Sequence, residues 1–190
     1  MSNPLIGLEG LPPFSKIQPE HVVPALKEAI AHCRKTIDDV LTNSVFNWEN
    51  LVLPLEEADD KLSRMWSPVS HMHSVVNSDA LREAYDECLP LISEYSTYCG
   101  QHQGLYNAYK AVKESAEFST LSIAQQTTID NQLRDFALSG IALNEQQQNR
   151  YGEISARLSE LGAKFGNNVM DATQAWQKHI TDESQLSGLP

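Results

Sequence analysis

The sequence predicts an all-α protein, an antiparallel bundle of about five to six helices ending in one long helix. Two observations carry that prediction: apolar residues recur every three or four positions through most of the 190 residues, and punctuation comes from capping residues, Gly and Pro at intervals that leave only short loops. A third is negative, since no alternating strand pattern and no Asn-Gly hairpin signal occurs.

Residues 1–18 contain Pro4, Gly7, Gly10, Pro12 and Pro13 and read as an extended lead-in, because proline restricts itself and its predecessor. Pro19 suits a first helical position. Val22, Val23, Leu26, Ile30, Cys33, Ile37 and Val40 then repeat at helical spacing, so a first helix runs to about Leu41. Asn47 is the expected cap of a second helix, whose stripe passes through Trp48, Leu51, Leu55, Ala58, Leu62, Met65, Val69 and Met72. Pro54 lies near enough to the start to be tolerated. Pro68 is expected to kink or end the helix near Trp66, since it lacks an amide and clashes with the preceding turn.

Asn77 and Ser78 form the next break, with Ser78 capping a third helix that carries Leu81, Ala84, Tyr85, Cys88, Ile92 and Tyr95. Gly100 and Gly104 interrupt the pattern before Leu105, Tyr106, Tyr109 and Val112 resume it. A continuation and a separate short helix fit that stretch equally well. Ser122 and Gln125 have capping-box spacing, and Ile129, Leu133 and Phe136 follow until Gly140 closes the segment.

The stretch from Asn144 to His179 carries the longest unbroken helical signal. Asn144 and Gln147 define its start, and Tyr151, Ile154, Leu158, Leu161, Phe165, Val169, Ala172 and Trp176 make one apolar seam. That seam is expected to be buried. Gly162 and Gly166 each cost roughly 1 kcal/mol against alanine in a helix interior, so close approach of a neighbouring helix is the expected compensation. Arg157, Glu160, Lys164 and Asp171 interrupt the segment and exclude a membrane span. From Thr181 the chain turns polar.

With 41% hydrophobic residues the chain can build one well-cored domain. A net charge of −11 argues against nucleic acid and against anionic membrane surfaces, because both draw affinity from clustered Lys and Arg. Cys33, Cys88 and Cys99 are scattered and odd in number, which fits small buried apolar residues in a reducing compartment. Met1 to Gly10 shows no secretory signal pattern. A cytoplasmic location is expected.

The search for chemistry returns no catalytic residue and no metal ligand. His71 and His73 are two apart and point to roughly opposite sides of a helix, so they cannot share one ion unless Pro68 breaks it; an exposed or capping role is expected. Cys99 and His102 could share a face, yet no third ligand is near in sequence. Glu56, Glu57, Asp59 and Asp60 resemble paired carboxylates, but Glu57 with Lys61 and Asp60 with Arg64 are ordinary i,i+4 partners on a solvated face. H-E-x-x-H, E-x-x-H, G-x-S-x-G, P-loop and G-x-G-x-x-G patterns are all missing from the 190 residues.

Leu-Pro-Pro-Phe-Ser-Lys-Ile-Gln-Pro-Glu-His from Leu11 to His21 resembles the opening of the thimet-oligopeptidase family of zinc metallopeptidases. The likeness continues through Trp48-Glu49-Asn50, Ser67 to His71, Asn77 to Tyr85, Arg134-Asp135-Phe136, Ser139-Gly140 and Arg150 to Thr173. The resemblance implies a cytoplasmic zinc endopeptidase of short unfolded peptides, helical around a deep channel. In it, zinc-activated water attacks a peptide carbonyl with a glutamate as general base. The zinc-binding H-E-x-x-H of the family lies downstream of anything in this chain, so no metal or catalytic residue carries over. The implied organisation is a lead-in over 1–18, a helical N-terminal domain over 19–180 forming channel wall, and over 181–190 the start of a truncated connection to the absent catalytic region. The downstream catalytic region is the implied partner of the last helix, and self-association as a two-fold pair is expected where that region is missing. A stand-alone helical interaction module is the competing reading.

Overall fold

The computed structural model describes residues 3–76 and 78–188, and these form six α-helices with no strand among them. Asn77 of the expected break, the first residues Met1 and Ser2, and the closing Leu189 and Pro190 lie outside the described residues.

Helix α1 spans Pro19–Val40, with Pro19 in its first turn. Its start is a capping box that the sequence spacing did not signal: the Gln18 amide donates to His21 Nδ1 at 3.0 Å. The lead-in is more than extended chain. Leu5 and Ile17 are buried to 1% and 3% exposure, Phe14–Lys16 forms a 3-10 turn, and the Asn3 side-chain amide donates to the His21 carbonyl at 2.8 Å. Two apolar anchors thus seat a proline-rich strap on the bundle.

Asn47 caps as expected, exchanging hydrogen bonds with Asn50, and the chain then makes a π-helical turn, Trp48–Val52, before α2, Leu53–Val75. The widened turn puts Leu51 and Val52 fully inside. Of the two outcomes expected at Pro68, a kink or an end, the end does not occur, and α2 runs on to Val75. The proline removes one amide donor, the one that would reach the Arg64 carbonyl, while Met65, Val69 and Pro68 itself are buried and hold the helix on both sides of the gap.

Ser78 accepts from the Leu81 amide at 3.3 Å and opens α3, Asp79–Gly100. The open question at Gly100 resolves as two helices. His102 Nδ1 accepts from the Leu105 amide at 3.2 Å, and this cap begins α4, Gln103–Glu114. Gly100 is needed for contact, because an added Cβ would stand 2.5 Å from Ser139 Cβ. Helix α5, Ile123–Leu138, starts with the Ser122–Gln125 box and ends on Gly140 at φ +82°. The Ile141 amide reaches back to the Phe136 carbonyl at 3.1 Å and the Gly140 amide to Ala137 at 3.2 Å, a Schellman stop.

Two apolar clusters hold these elements. One gathers Ile37, Leu51, Val52, Val112, Ile129 and Phe136 from α1, the π turn, α4 and α5; the other gathers Leu5, Val22, Leu26, Met65, Val69 and Cys88 from the strap and α1 to α3. Helix α6, Glu145–Ala175, begins with the Asn144–Gln147 box and stops four residues short of His179. It contributes no buried residue to either cluster.

Candidate functional site

The seam of α6 is not buried, which overturns the sequence expectation. The half-buried positions are Gln148, Tyr151, Gly152, Ser155, Ser159, Ala163, Asn167 and Met170, and α6 lies on α3 through this largely small and polar side. The apolar side faces outward: Leu158 is 64% exposed, Phe165 72% and Trp176 71%, with Ile154, Leu161 and Val169 between 44% and 49%. The physical reason is steric. Small side chains let two helices approach closely, and at Gly152 an added Cβ would already sit 3.6 Å from Thr97 Cγ2 on α3. Gly162 and Gly166 are not contact glycines, since a Cβ at either meets nothing within 4 Å.

Polar groups fasten the far end of this contact. Arg82 donates to both carboxylate oxygens of Asp171 at 3.0 and 2.7 Å. The hydrogen bond from Arg82 holds the Asp171 carboxyl below its ordinary value of 3.8. Beside it His73 is 9% exposed, its ring stacked 4.0 Å from Tyr85, which stacks in turn 4.9 Å from Trp66. Burial lowers the pKa of His73, with Asp86 and the Asn167 side chain opposing and Arg82 adding to the shift. His73 therefore has a structural place inside the protein, neither exposed nor capping.

Along the junction of α3 and α6 runs a cleft of about 810 Å³, lined by Arg82, Asp86, Pro90, Arg157, Lys164 and Asn168 among others. A second opening lies on the other side of α6, where Leu158, Gly162, Gly166 and Met170 face His73, Tyr85 and Leu89.

The sequence candidates for chemistry are not brought together. His71 lies 5.9 Å from Phe14 while His73 is stacked on Tyr85, so the pair diverges. His102 is spent as a helix cap, and burial pushes the Cys99 thiol up to about 11. Glu56, Glu57, Asp59 and Asp60 are exposed, with desolvation by the adjoining bundle raising Glu56 and Asp59. Arg64 Nε donates to Asp60 at 2.6 Å as expected; Glu57 and Lys61 do not form their pair. Cys33 and Cys88 are buried free thiols. Among the described residues no three His, Cys, Asp or Glu side chains are placed to hold a metal ion, so this donor set does not fit a zinc site. No helix among them is long and apolar enough to cross a membrane.

The described residues thus form a helical body that leaves the apolar side of its longest helix in water. The chain belongs to the neurolysin/thimet oligopeptidase family, whose N-terminal domain model, "Neurolysin/Thimet oligopeptidase, N-terminal domain", matches residues 21–148. It is 62% identical over 190 residues to Oligopeptidase A of Haemophilus influenzae and 54% identical over 191 residues to Oligopeptidase A of Escherichia coli. It is also 33% identical over 189 residues to "Organellar oligopeptidase A, chloroplastic/mitochondrial" of Arabidopsis thaliana. Each match covers 100% of this chain, which spans 28% of the length of the two bacterial relatives and 24% of the plant one.

Proposed function

We propose that this chain is the non-catalytic helical N-terminal domain of a cytoplasmic zinc oligopeptidase that hydrolyses short unfolded peptides, and that it forms part of the wall of the substrate channel. The observation that supports this most is its alignment, end to end, with little more than a quarter of each bacterial Oligopeptidase A. Zinc and the general base belong, in this reading, to residues outside the 190, in keeping with a donor set here that does not converge. The wall's contribution is exclusion: a helical barrier beside a channel admits flexible oligopeptides and rejects folded chains. The predominance of acidic groups adds a negative field.

The test uses the longer protein. It is expected to cleave short peptides and to lose that activity on chelation, whereas the 190-residue chain cleaves none and takes up no stoichiometric zinc in calorimetry. A longer protein without peptidase activity removes the proposal and leaves the interaction module, which the open face of α6 would suit.

A further inference from the structure

Beneath the second half of α6, three helices meet at one buried imidazole. We propose that His73 is a proton-operated latch: when its ring takes up a proton, α6 beyond Ser159 is released from α3 while α1 to α5 stay folded.

The cluster of groups around the ring sets this up. His73 comes from α2, lies nearly parallel to the Tyr85 ring of α3 at 4.0 Å, and is faced from α6 by the Asn167 side chain. It is 9% exposed, and neither His73 Nε2 nor Asn167 Oδ1 makes a hydrogen bond of good geometry among the described residues. A neutral ring suits the place, since Leu89, Leu158 and Met170 line the opening beside it. A charged ring does not, because an ion taken out of water needs a partner of opposite charge. Asp86 and Arg82, both from α3, are the charged groups that act on His73, and they oppose each other. From α6 it meets the neutral Asn167, and Asp171 one turn further on is held by the two hydrogen bonds from Arg82.

The chain can hydrate a charged His73 in two ways, and they differ in cost. Global unfolding breaks both apolar clusters. Lifting the second half of α6 breaks neither, because α6 contributes no buried residue to them and rests on α3 through half-buried, largely small and polar side chains. That contact and the Arg82 to Asp171 pair oppose the lift, and water already screens the pair at a carboxylate that is 54% exposed. Proton uptake therefore takes the less costly route, a local opening. Burial gives the sign: with the folded pKa below the ordinary 6.5, docking is favoured in full above that pH and weakens as pH falls. The Arg82 pair stays charged through this window, because the Asp171 carboxyl is held below 3.8.

Amide hydrogen exchange over residues 160–175 of the 190-residue chain tests the latch. It is read at about pH 7.5 and about pH 5.5, each rate being divided by the intrinsic exchange rate at that pH, and protection in α1 and α4 reports that the body is folded. The expected result is protection over 160–175 that falls several-fold at the lower pH, to a limit of about tenfold, while α1 and α4 are unchanged. His73→Phe keeps the stack and cannot take the proton, and His73→Gln stays neutral with a polar side chain; both are expected to show no such fall. Equal protection at the two pH values in the parent chain overturns the proposal. So does a fall of the same size in α1 and α4, which is unfolding of the whole chain, and so does an undiminished fall in the variants, which assigns the opening to another group. An α6 that is already unprotected over these residues at the higher pH overturns it as well, since nothing is then latched.

Discussion

Arg82 clasps Asp171 in two parallel hydrogen bonds of 3.0 and 2.7 Å, joining the first turn of α3 to the last third of α6 across 89 residues of sequence. This is the one bidentate ion pair that ties α6 to the body among the described residues. Arg82→Ala and Asp171→Asn are expected to speed amide hydrogen exchange in α6 beyond Gly166 and to leave exchange in α1 and α2 unchanged. Because the Asp171 carboxyl is held below 3.8, the clasp contributes fully above that pH and is lost as pH falls through the lower folded value. Exchange at the end of α6 that is unchanged in both variants would show the clasp to be inert.

His73 gives the fold an acid sensitivity at higher pH. Burial sets its folded pKa below the ordinary 6.5, so the unfolded chain takes up the proton first as pH drops. Stability from the neutral ring is complete above 6.5 and declines below it. His73→Phe keeps a ring to stack on Tyr85 and removes the proton, so its urea midpoint should fall less than that of the parent chain between pH 7 and about pH 5.5. Equal losses in the two proteins would assign the acid response to other groups.

The helical glycines of α6 separate from Gly100 in a simple comparison. Gly162→Ala and Gly166→Ala each meet open space and are expected to stabilise the 190-residue chain by up to about 1 kcal/mol. Gly100→Ala drives a Cβ to 2.5 Å from Ser139 Cβ and is expected to destabilise by roughly 1–3 kcal/mol. Denaturant titration of the three variants gives the sign of each directly.

Under the proposed oligopeptidase reading, the net charge of −11 carries a kinetic expectation for the longer protein. Its kcat/KM for a basic peptide is expected to fall as ionic strength rises, with a smaller change for a neutral peptide of equal length. Parallel salt dependence for the two peptides would mean that the acidic charge of this chain does not steer substrate.

Sequence pattern revealed the elements better than it revealed their neighbours. Asn47, Ser78, Ser122 and Asn144 all cap the helices assigned to them, because a cap is a bond over three residues and is written locally. Pro68 does not end α2, because one lost amide is outweighed by apolar contacts on both sides of it, which depend on residues far along the chain. The seam of α6 was legible as an apolar face, but periodicity cannot say which face is turned to α3. The signal lay in the second stripe, Ser155, Ser159 and Ala163, whose small size permits the closer packing. His73 was missed for a related reason, since its ring stacks on Tyr85, which comes from a different helix, α3.

The last residue of either apolar cluster is Ile141, so α6 emerges from the ribosome after everything needed to close the body has been made. At about 5–20 residues per second, its 31 residues take only a few seconds to synthesise. The body can therefore close while α6 is still being made and its apolar edge stands in water. Left uncovered, Leu158 and Phe165 make that same edge the place where association between chains would begin.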